Sequence, residues 1–369
     1  MAERQNTNCK MNMIYIDASR YNLTDKRTGV ENYSFFLINE LVRLTPDNIT
    51  LISPKKIPFN VKQIIIPFPR LWTQIRLSWK LLGNKKINNL FVPSHVLPLI
   101  HPKKSAITIH DVAWKHLPES YGYLSKWYLN WGTKYAVKYA RKIIVPSEAT
   151  KKDLIHFYKA NSRKIHIIPL GFSPPKINVS NNENKKIIEN FKLKVENYFL
   201  YLGRIEHKKN TDILIKAFKL FIKNNPNIKL VLAGFPGRGG KEILDSIPKN
   251  LKDRIIITGY VSEKEKDALM KNALCFIFPS RYEGFGIPLL EAMYYNLPII
   301  ASRIPTSYEI AKGNALFFDP ANTAELAKLM DTIANNESVR QMITSQHKET
   351  LKKYSWKKSA QQILRLLNV

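Results

Sequence analysis

Cysteines are scarce in this sequence, and so are long apolar runs and acidic residues. Only two cysteines, Cys9 and Cys275, occur among the 369 residues, which excludes a disulfide framework. No window of about 18 apolar residues is present, so we expect no membrane-spanning helix. The N-terminal residues are polar, and the first apolar run, residues 13–16, ends at Asp17, so we expect no signal peptide. These absences indicate a soluble, reduced, cytoplasmic chain.

Acidic residues are outnumbered by basic ones, since 29 Asp and Glu stand against 58 Lys and Arg and give a formal net charge of +29. Such a charge favours an anionic partner, which can be nucleic acid, a phosphate-bearing substrate or an acidic membrane surface. A coding bias toward Lys, Asn and Ile would produce the same excess without any partner. Hydrophobic residues make up 44% of the chain and aromatic residues 11%, which is enough for real cores in about two domains.

The basic charge is concentrated in one part of the chain. Between Asp47 and Asp111 there is no acidic residue. Ten basic residues lie in the same window: Lys55, Lys56, Lys62, Arg70, Arg76, Lys80, Lys85, Lys86, Lys103 and Lys104. The window favours contact between this part of the chain and an anionic surface.

Residues 71–82 have the spacing of an amphipathic helix inside this basic window. The apolar side chains would share one face of that helix: Leu71, Ile75, Trp79 and Leu82, with Ser78 beside them. Arg76 and Lys80 would point toward another face. A basic helix with tryptophan is typical of an element that lies on acidic lipid. The alternative is an ordinary helix whose apolar face packs into the core, but the charge window favours contact with a membrane surface.

Short apolar runs alternate with helical patterns along the whole chain. Seven such runs precede residue 169 and six follow residue 197, which predicts βαβ units and parallel sheets. Residues 169–175 are rich in turn formers, and residues 180–186 are polar without periodicity, so we place a linker there. The sequence therefore predicts an α/β protein of two doubly wound domains. Ligands would bind in the cleft between them, at the carboxyl ends of the strands.

The segment 279–293 carries the strongest chemical signal. It follows an apolar run, and Gly284 and Gly286 let the backbone turn tightly and approach a ligand. Pro288 suits the first turn of a helix. The backbone N–H groups of residues 285–289 would then form an anion site at a helix N-terminus.

Two carboxylates flank this turn. Glu283 precedes it, and Glu291 lies further along the predicted helix. At that separation they do not readily form one compact metal site, and they suit two hydrogen-bond acceptors on either side of a phosphate, such as two sugar rings would need. Taken alone, either residue could be a solvent-facing or capping carboxylate, but the strand–loop–helix arrangement favours a binding site.

Residues 201–210 form a second loop between a predicted strand and a predicted helix. Arg204 could contact a pyrophosphate in bidentate fashion, and Lys209 could add a point charge from the other side. A solvated basic loop is the alternative for this segment taken alone. The sequence contains no Asp-x-Asp and no Cys/His metal pattern, so we predict no required metal.

These two segments resemble the motifs of the retaining glycosyltransferases of family 4. Glu283 and Glu291, with Gly-Phe-Gly-Ile-Pro between them, resemble the E-x7-E motif of that family. Gly203-Arg204 with Lys209-Asn210 resembles its donor-phosphate motif. Shorter similarities extend the match over most of the chain: residues 28–33, 110–111, 145–150, 167–171, 259–261 and 354–356.

The resemblance implies the GT-B fold, in which two Rossmann-like domains face each other across a cleft. An acceptor-side domain would cover residues 1–172, and a nucleotide-sugar-binding domain would cover residues 173–354. The last helix, within residues 355–369, would cross back and pack on the first domain.

The resemblance also implies a donor site. Its members would be Gly29, Gly203, Arg204, Lys209, Val261, Glu283, Gly284, Phe285, Gly286, Ile287 and Glu291. Arg204 and Lys209 would neutralise the donor diphosphate, helped by the backbone of residues 285–287. Glu291 would hold the ribose hydroxyls, and Glu283 would bind hydroxyls of the donor sugar.

The implied catalytic residues are His110, Glu283, Arg204 and Lys209. His110 would lie near the reacting sugar and orient it. Gly29 would let the first domain approach the diphosphate, and the base would rest near Val261. One departure concerns Val30, because family members with lipid or small acceptors often carry a second glycine there.

The implied activity is the transfer of a hexose from GDP-mannose or a UDP-sugar to a glycan or lipid-linked acceptor. The anomeric configuration would be retained, with no cofactor and no nucleic acid as partner. The transfer would serve cell-envelope polysaccharide or lipopolysaccharide synthesis, with the enzyme peripheral on the inner face of the plasma membrane. No residue stands out as a covalent nucleophile, so the family favours attack by the acceptor on the same face of the sugar. Two alternatives stay open, a GT-B sugar-nucleotide epimerase and a basic nucleic-acid-binding protein.

Overall fold

A computed structural model describes residues 13–24, 27–67, 72–84, 86–175, 177 and 179–368. Four residues used above, Cys9, Arg70, Leu71 and Lys85, lie outside these ranges. The strands of the described residues form two parallel sheets, one in each half of the chain.

The first sheet has seven parallel strands in the order β3-β2-β1-β4-β5-β6-β7. These are β1 (Ile14–Asp17), β2 (Ile49–Ser53), β3 (Lys62–Ile65), β4 (Asn89–Val92), β5 (Lys104–Thr108), β6 (Lys142–Val145) and β7 (Ile165–Ile167). The helices that belong to this half are α1 (Gly29–Leu44), α2 (Ser78–Leu82), α3 (Ala113–His116), α4 (Tyr123–Tyr139) and α5 (Glu148–Tyr158). Every residue of β2 and β4 is buried, as expected for strands covered on both faces.

The second sheet has six parallel strands in the order β10-β9-β8-β11-β12-β13. These are β8 (Tyr198–Leu202), β9 (Lys229–Ala233), β10 (Ile255–Gly259), β11 (Cys275–Phe278), β12 (Ile299–Ser302) and β13 (Leu316–Phe318). The first helices of this half are α6 (Asn181–Asn190), α7 (Thr211–Phe221), α8 (Gly240–Asp245), α9 (Glu263–Asn272) and α10 (Ile287–Tyr294). The later ones are α11 (Pro305–Ala311), α12 (Thr323–Asn335), α13 (Glu337–Thr344), α14 (His347–Leu351) and α15 (Trp356–Leu367).

Both strand orders are those of a doubly wound Rossmann-like sheet, so the predicted fold class is confirmed. In each sheet the order reverses beside the first strand, between β1 and β4 and between β8 and β11. Ligands of such sheets bind outside the carboxyl ends of the strands at this switch point. In the second sheet, the loops that follow β8 and β11 are therefore the expected ligand-binding loops.

The chain divides into two compact units. One contains the described residues of 1–112, 123–171 and 355–369, and the other contains residues 113–122 and the described residues of 172–354. The predicted first domain, residues 1–172, also includes residues 113–122, which group with the second unit.

The C-terminal helix α15 belongs to the first unit and packs against α1. Trp356, at its first position, stacks on Phe36 with ring centroids 5.5 Å apart and an interplanar angle of 15°. Gly171 lies so close to it that an added Cβ would be 2.1 Å from the Trp356 backbone nitrogen. Glycine is therefore the residue that permits this approach.

The linker predicted at residues 180–186 is wrong, because this segment is the first part of α6. The Ser180 hydroxyl accepts a hydrogen bond from the Glu183 backbone N–H at 3.3 Å and caps the helix. Ile188 supplies the buried contact, and Lys264 of α9 pairs with Glu183 at 2.9 Å. A single buried isoleucine leaves little periodicity for sequence reasoning to detect.

The helix predicted over residues 71–82 has a different geometry in its described part. Trp72–Leu77 form a π-helix, which precedes α2. The wider π turn changes the register, so Leu77 and Leu81 are buried while Trp79 and Leu82 are 76% and 64% exposed. The core alternative holds for a rotated face, through Trp72, Leu77 and Leu81. Of the predicted apolar face, Ser78 is buried, whereas Ile75, Trp79 and Leu82 are exposed.

Candidate active site

The loops after β8 and β11 lie side by side in the second unit, because these strands are neighbours in the sheet. The first loop carries Gly203, Arg204 and Lys209, and the second carries Glu283. The two predicted segments are therefore brought together at the switch point of one sheet.

The Gly203–Arg204 turn is held by its neighbours. The Tyr201 hydroxyl donates a hydrogen bond to the Arg204 carbonyl at 2.5 Å, and burial raises the pKa of Tyr201, so this hydroxyl stays protonated. Gly203 has φ +151, and a Cβ on the neighbouring Gly234 would lie 1.9 Å from the Gly203 carbonyl oxygen. The backbone is thereby fixed while the Arg204 side chain stays exposed.

Lys209 and Glu283 form an ion pair between the two loops. The Glu283 oxygen Oε1 that receives Lys209 also accepts a hydrogen bond from the Ser280 hydroxyl at 2.7 Å. The Lys209 side chain is 25% exposed and the Glu283 side chain 14%. A cation and a hydrogen-bond acceptor thus lie together in a site that solvent can still reach.

Asn210 is the last residue of the motif quoted above, and it joins the two loops, a role that the motif does not predict. It is buried, has φ +58, and its amide donates to the Pro320 carbonyl at 2.8 Å. Its side-chain oxygen accepts from Arg281 Nε at 2.8 Å, and Arg281 also pairs with Asp212 at 3.2 Å. The left-handed conformation suits asparagine, and that preference was the available signal.

The turn after Glu283 leads into α10 as predicted. Gly286 has φ +151 and is the N-cap, and Pro288 is in the first turn. Because the Leu289 N–H donates to the Gly286 carbonyl at 3.0 Å and proline has no N–H, the anion site predicted over residues 285–289 is limited to residues 285–287. The buried Phe285 ring lies 5.8 Å from that of Tyr354 and anchors the turn.

Glu291, on α10, is paired with Lys266 of α9 at 2.6 Å. Burial alone would lower the pKa of Lys266, but Glu291 and Glu263 outweigh it and raise that pKa. Sequence reasoning missed Lys266, since its partner is 25 positions away and only the packing of the second unit joins them. The pair holds the Glu291 carboxylate in one place.

Val261 follows β10, two strands away from β8. The Phe235 and Tyr260 rings next to it are stacked, with centroids 5.9 Å apart and an interplanar angle of 19°. Both rings are partly exposed. An aromatic platform at this strand end is suited to a planar ligand group such as a nucleobase.

Residues 113–122 pack against the site loops from within the second unit. The His116 ring stacks on Tyr282 at 4.4 Å, and Lys208 Nζ lies 3.4 Å from the Tyr121 hydroxyl. This segment therefore supports the loop that carries Glu283.

The remaining predicted site residues, Gly29 and His110, lie in the first unit. Gly29 is the first residue of α1, and an added Cβ would meet no atom of the described residues within 4 Å. One turn later, the Tyr33 ring lies edge-on to His110 at 4.6 Å. The two predicted residues therefore adjoin the same helix turn.

His110 is a neutral group. Burial lowers its pKa to about 3, and the nearby His95 contributes to the same shift. His110 Nε2 lies 3.3 Å from the Pro93 carbonyl oxygen, so in the neutral ring Nε2 carries the hydrogen and Nδ1 is left as an acceptor. The side chain can orient a hydroxyl but cannot supply a positive charge.

The part of the chain that the structure describes contains no group of three or more His, Cys, Asp or Glu placed to hold a metal ion. It also contains no helix long and apolar enough to cross a bilayer.

Residues 182–350 match the family described as Glycosyl transferases group 1, and residues 27–174 match Glycosyltransferase Family 4. The chain is 24% identical over 307 residues to the O-antigen chain mannosyltransferase B of Escherichia coli, covering 82% of this chain and 79% of that protein. It is 30% identical over 249 residues to the O-antigen chain mannosyltransferase RfbU of Salmonella typhimurium, covering 68% and 65%.

Solved structures show the same fold. Anabaena HepE in complex with UDP-glucose superposes with a TM-score of 0.72 at 16% identity, over 97% of this chain and 99% of that one. WaaG, a glycosyltransferase involved in lipopolysaccharide biosynthesis, superposes with a TM-score of 0.71 at 12% identity, over 96% and 99%.

Proposed function

This chain belongs to the group 1 glycosyltransferases of family 4 type, and from that premise we propose that it transfers a hexose from a nucleotide-sugar with retention of configuration. The acceptor is a glycan or a lipid-linked glycan of cell-envelope polysaccharide synthesis, reached at the inner face of the plasma membrane. The observation that carries the proposal is the ion pair between Lys209 and Glu283, which joins the loops after β8 and β11 at the switch point of the sheet. Arg204 lies in the first of these two loops.

The donor would lie across this switch point. Its diphosphate would be bound by Arg204, by Lys209 and by the N–H groups of residues 285–287. Lys209 is already paired with Glu283. The diphosphate would therefore bind a cation that is held beside the sugar-binding carboxylate. Glu291, held by Lys266, would accept hydrogen bonds from the ribose, and the base would lie near Val261.

The chemistry follows from where charge develops. When the bond between the sugar and the diphosphate breaks, negative charge grows on the departing phosphate, and cations fixed in advance stabilise it. We propose that Arg204 and Lys209 supply this charge in place of a divalent metal. Lys209 and Ser280 both contact Glu283 Oε1, and we assign this carboxylate to binding the donor sugar. As in the family, we propose attack by the acceptor on the same face of the sugar.

Names of relatives favour mannose as the sugar, since two relatives are mannosyltransferases. The complexes of HepE contain UDP and UDP-glucose, so UDP-sugars stay candidates. A thermal-shift screen of GDP-mannose, UDP-glucose and UDP-N-acetylglucosamine separates them, because only the true donor should raise the melting temperature at low concentration.

The site assignment is tested by Arg204→Ala and Glu283→Gln, each expected to lower transfer by about 100-fold or more. The matched control is Arg303→Ala, which removes an exposed arginine paired with Glu325 at 3.0 Å in the same unit. Full transfer by both site variants, with the fold intact, would disprove the assignment. Transfer that is unchanged by EDTA is expected, and loss of activity restored by Mg²⁺ would overturn the metal-free mechanism.

The two alternatives predict different results. A sugar-nucleotide epimerase would consume the nucleotide-sugar without any acceptor. A nucleic-acid-binding protein would bind DNA with strong salt dependence and would show no response to nucleotide-sugars. The relatives described above favour neither.

A further inference from the structure

Helix α4 exposes a row of large apolar and aromatic side chains on the first unit. Leu124 and Tyr123 are 79% and 77% exposed, and Trp127 and Tyr139 are 59% and 48% exposed. Contiguous exposed apolar groups on a soluble protein mark an interaction surface.

The aromatic rings of this row stack on one another along α4. Trp127 and Trp131 stack with centroids 6.4 Å apart and an interplanar angle of 9°, and Trp131 and Tyr135 stack at 5.8 Å and 23°. Tyr135 and Tyr139 continue the row at 4.6 Å. The stacking holds these rings side by side along one face of α4.

The loop at residues 99–100 connects this row to α2. The Tyr135 hydroxyl donates to the Leu99 carbonyl at 2.7 Å, and the Ile100 N–H donates to the Ser78 hydroxyl oxygen at 3.3 Å. One loop thus joins α4 to α2. We call the exposed side chains of these elements the aromatic face: Trp79, Leu82, Leu99, Tyr123, Leu124, Trp127 and Tyr139.

The surroundings of the aromatic face are basic. No acidic residue occurs between Glu119 and Glu148, a segment that contains all of α4. Its basic residues are Lys126, Lys134, Lys138, Arg141 and Lys142. An open groove of about 560 Å³ beside α2 adds Lys103 and Lys104, next to apolar Ile100.

We propose that the aromatic face docks on a bilayer that contains anionic lipids. Tryptophan and tyrosine rings suit the headgroup layer, leucine side chains can enter the acyl boundary, and the lysines complement anionic lipid. The groove would receive a lipid phosphate. The proposal deepens the proposed function, since a lipid-linked acceptor would be reached at such a surface.

A second copy of this chain is a poorer occupant for the face. Two such faces would bring α4 lysines against α4 lysines with no acidic residue on that helix to compensate, and like charges across an interface are unfavourable.

Binding is measured by sedimentation with vesicles of phosphatidylcholine alone and of phosphatidylcholine with phosphatidylglycerol, in the absence of any sugar donor. We expect binding to the anionic vesicles only, with a blue shift of tryptophan emission. Each lysine at the surface contributes about fivefold, so Lys126→Glu/Lys134→Glu/Lys138→Glu should lower vesicle partition by about 100-fold. Trp79→Ser/Trp127→Ser should lower partition by about tenfold and remove most of the shift.

The matched charge control is Lys249→Glu/Lys328→Glu/Lys348→Glu, which changes three exposed lysines of the second unit and should bind like the parent chain. The apolar control is Met342→Ser, an exposed side chain of α13. Equal loss in both charge variants, or binding that ignores lipid charge, would overturn the proposal. So would concentration-dependent dimerisation that Trp127→Ser abolishes, with no vesicle binding. Because no donor is present, failure here is distinguishable from failure of sugar transfer to a soluble acceptor.

Discussion

At the scale of single residues, the candidate site consists of cations and carboxylates that already neutralise one another. Lys209 is paired with Glu283, and Lys266 with Glu291. Each carboxylate is thereby held in one position, where it can accept hydrogen bonds from hydroxyl groups. The sequence motif identified three of these four side chains. The fourth, Lys266, depends on which helices pack together, and no local pattern encodes that.

We predict that Lys266→Met raises the KM for the donor by about tenfold and leaves kcat nearly unchanged. Lys266 positions Glu291, and the group that Glu291 would bind does not change during the reaction, so the loss is one of uniform binding. Steady-state kinetics with the true donor measure both constants. Lys266→Arg should restore the parent KM, and a fall in kcat with constant KM would contradict the positioning role.

We predict that His110 makes the protein more sensitive to acid. Its pKa is about 3 in the folded chain and about 6.5 when unfolded. Between these values the unfolded chain binds a proton that the folded chain does not, so this contribution is complete above about pH 6.5 and is lost as the pH falls toward about 3. Urea unfolding at about pH 7.5 and about pH 5 should show a smaller pH effect in His110→Gln than in the parent chain. An equal effect in both would show that His110 is not the cause.

At the scale of helices and strands, the sequence was most informative where apolar runs are continuous. The runs at Asn89–Val92, Lys142–Val145 and Tyr198–Leu202 coincide with strands β4, β6 and β8, because strands buried on both faces need such runs. The predictions from sequence were wrong where one capping side chain or one local turn determines the secondary structure. Ser180 caps a helix that was interpreted as a linker, and a π turn before Ser78 rotated the predicted face.

The meeting of β8 and β9 at their carboxyl ends depends on Gly234. We predict that Gly234→Ala destabilises the second unit by about 2–4 kcal/mol, since the new methyl group would overlap the Gly203 carbonyl oxygen at 1.9 Å and φ is +151. Chemical unfolding measures the change. Gly122→Ala is the control, because no described atom lies within 4 Å of its added Cβ and its φ is not positive. Equal stability of the two variants would contradict the close approach.

At the scale of the whole molecule, two units share one chain that crosses between them more than once. Strand alternation predicted two doubly wound sheets, and both are present. It could not predict that residues 113–122 group with the second unit. Their contacts, such as His116 on Tyr282 and Tyr121 with Lys208, join residues far apart in the sequence, and hydrophobic periodicity carries no information at such distances.

The division into units predicts which sheet loses stability when the contact of the C-terminal helix is removed. Trp356 is 5% exposed and stacks on Phe36 of α1, and truncating such a side chain costs about 3–5 kcal/mol. Trp356→Ala should therefore lower the protection of amides in β1 to β7 against hydrogen exchange, while amides of β8 to β13 keep theirs. The control is Tyr308→Ser, an exposed ring of α11 in the second unit, which should change neither sheet. Equal loss of protection in both sheets of the tryptophan variant would mean that the units unfold together, and the C-terminal helix would then stabilise the whole chain and not the first unit alone.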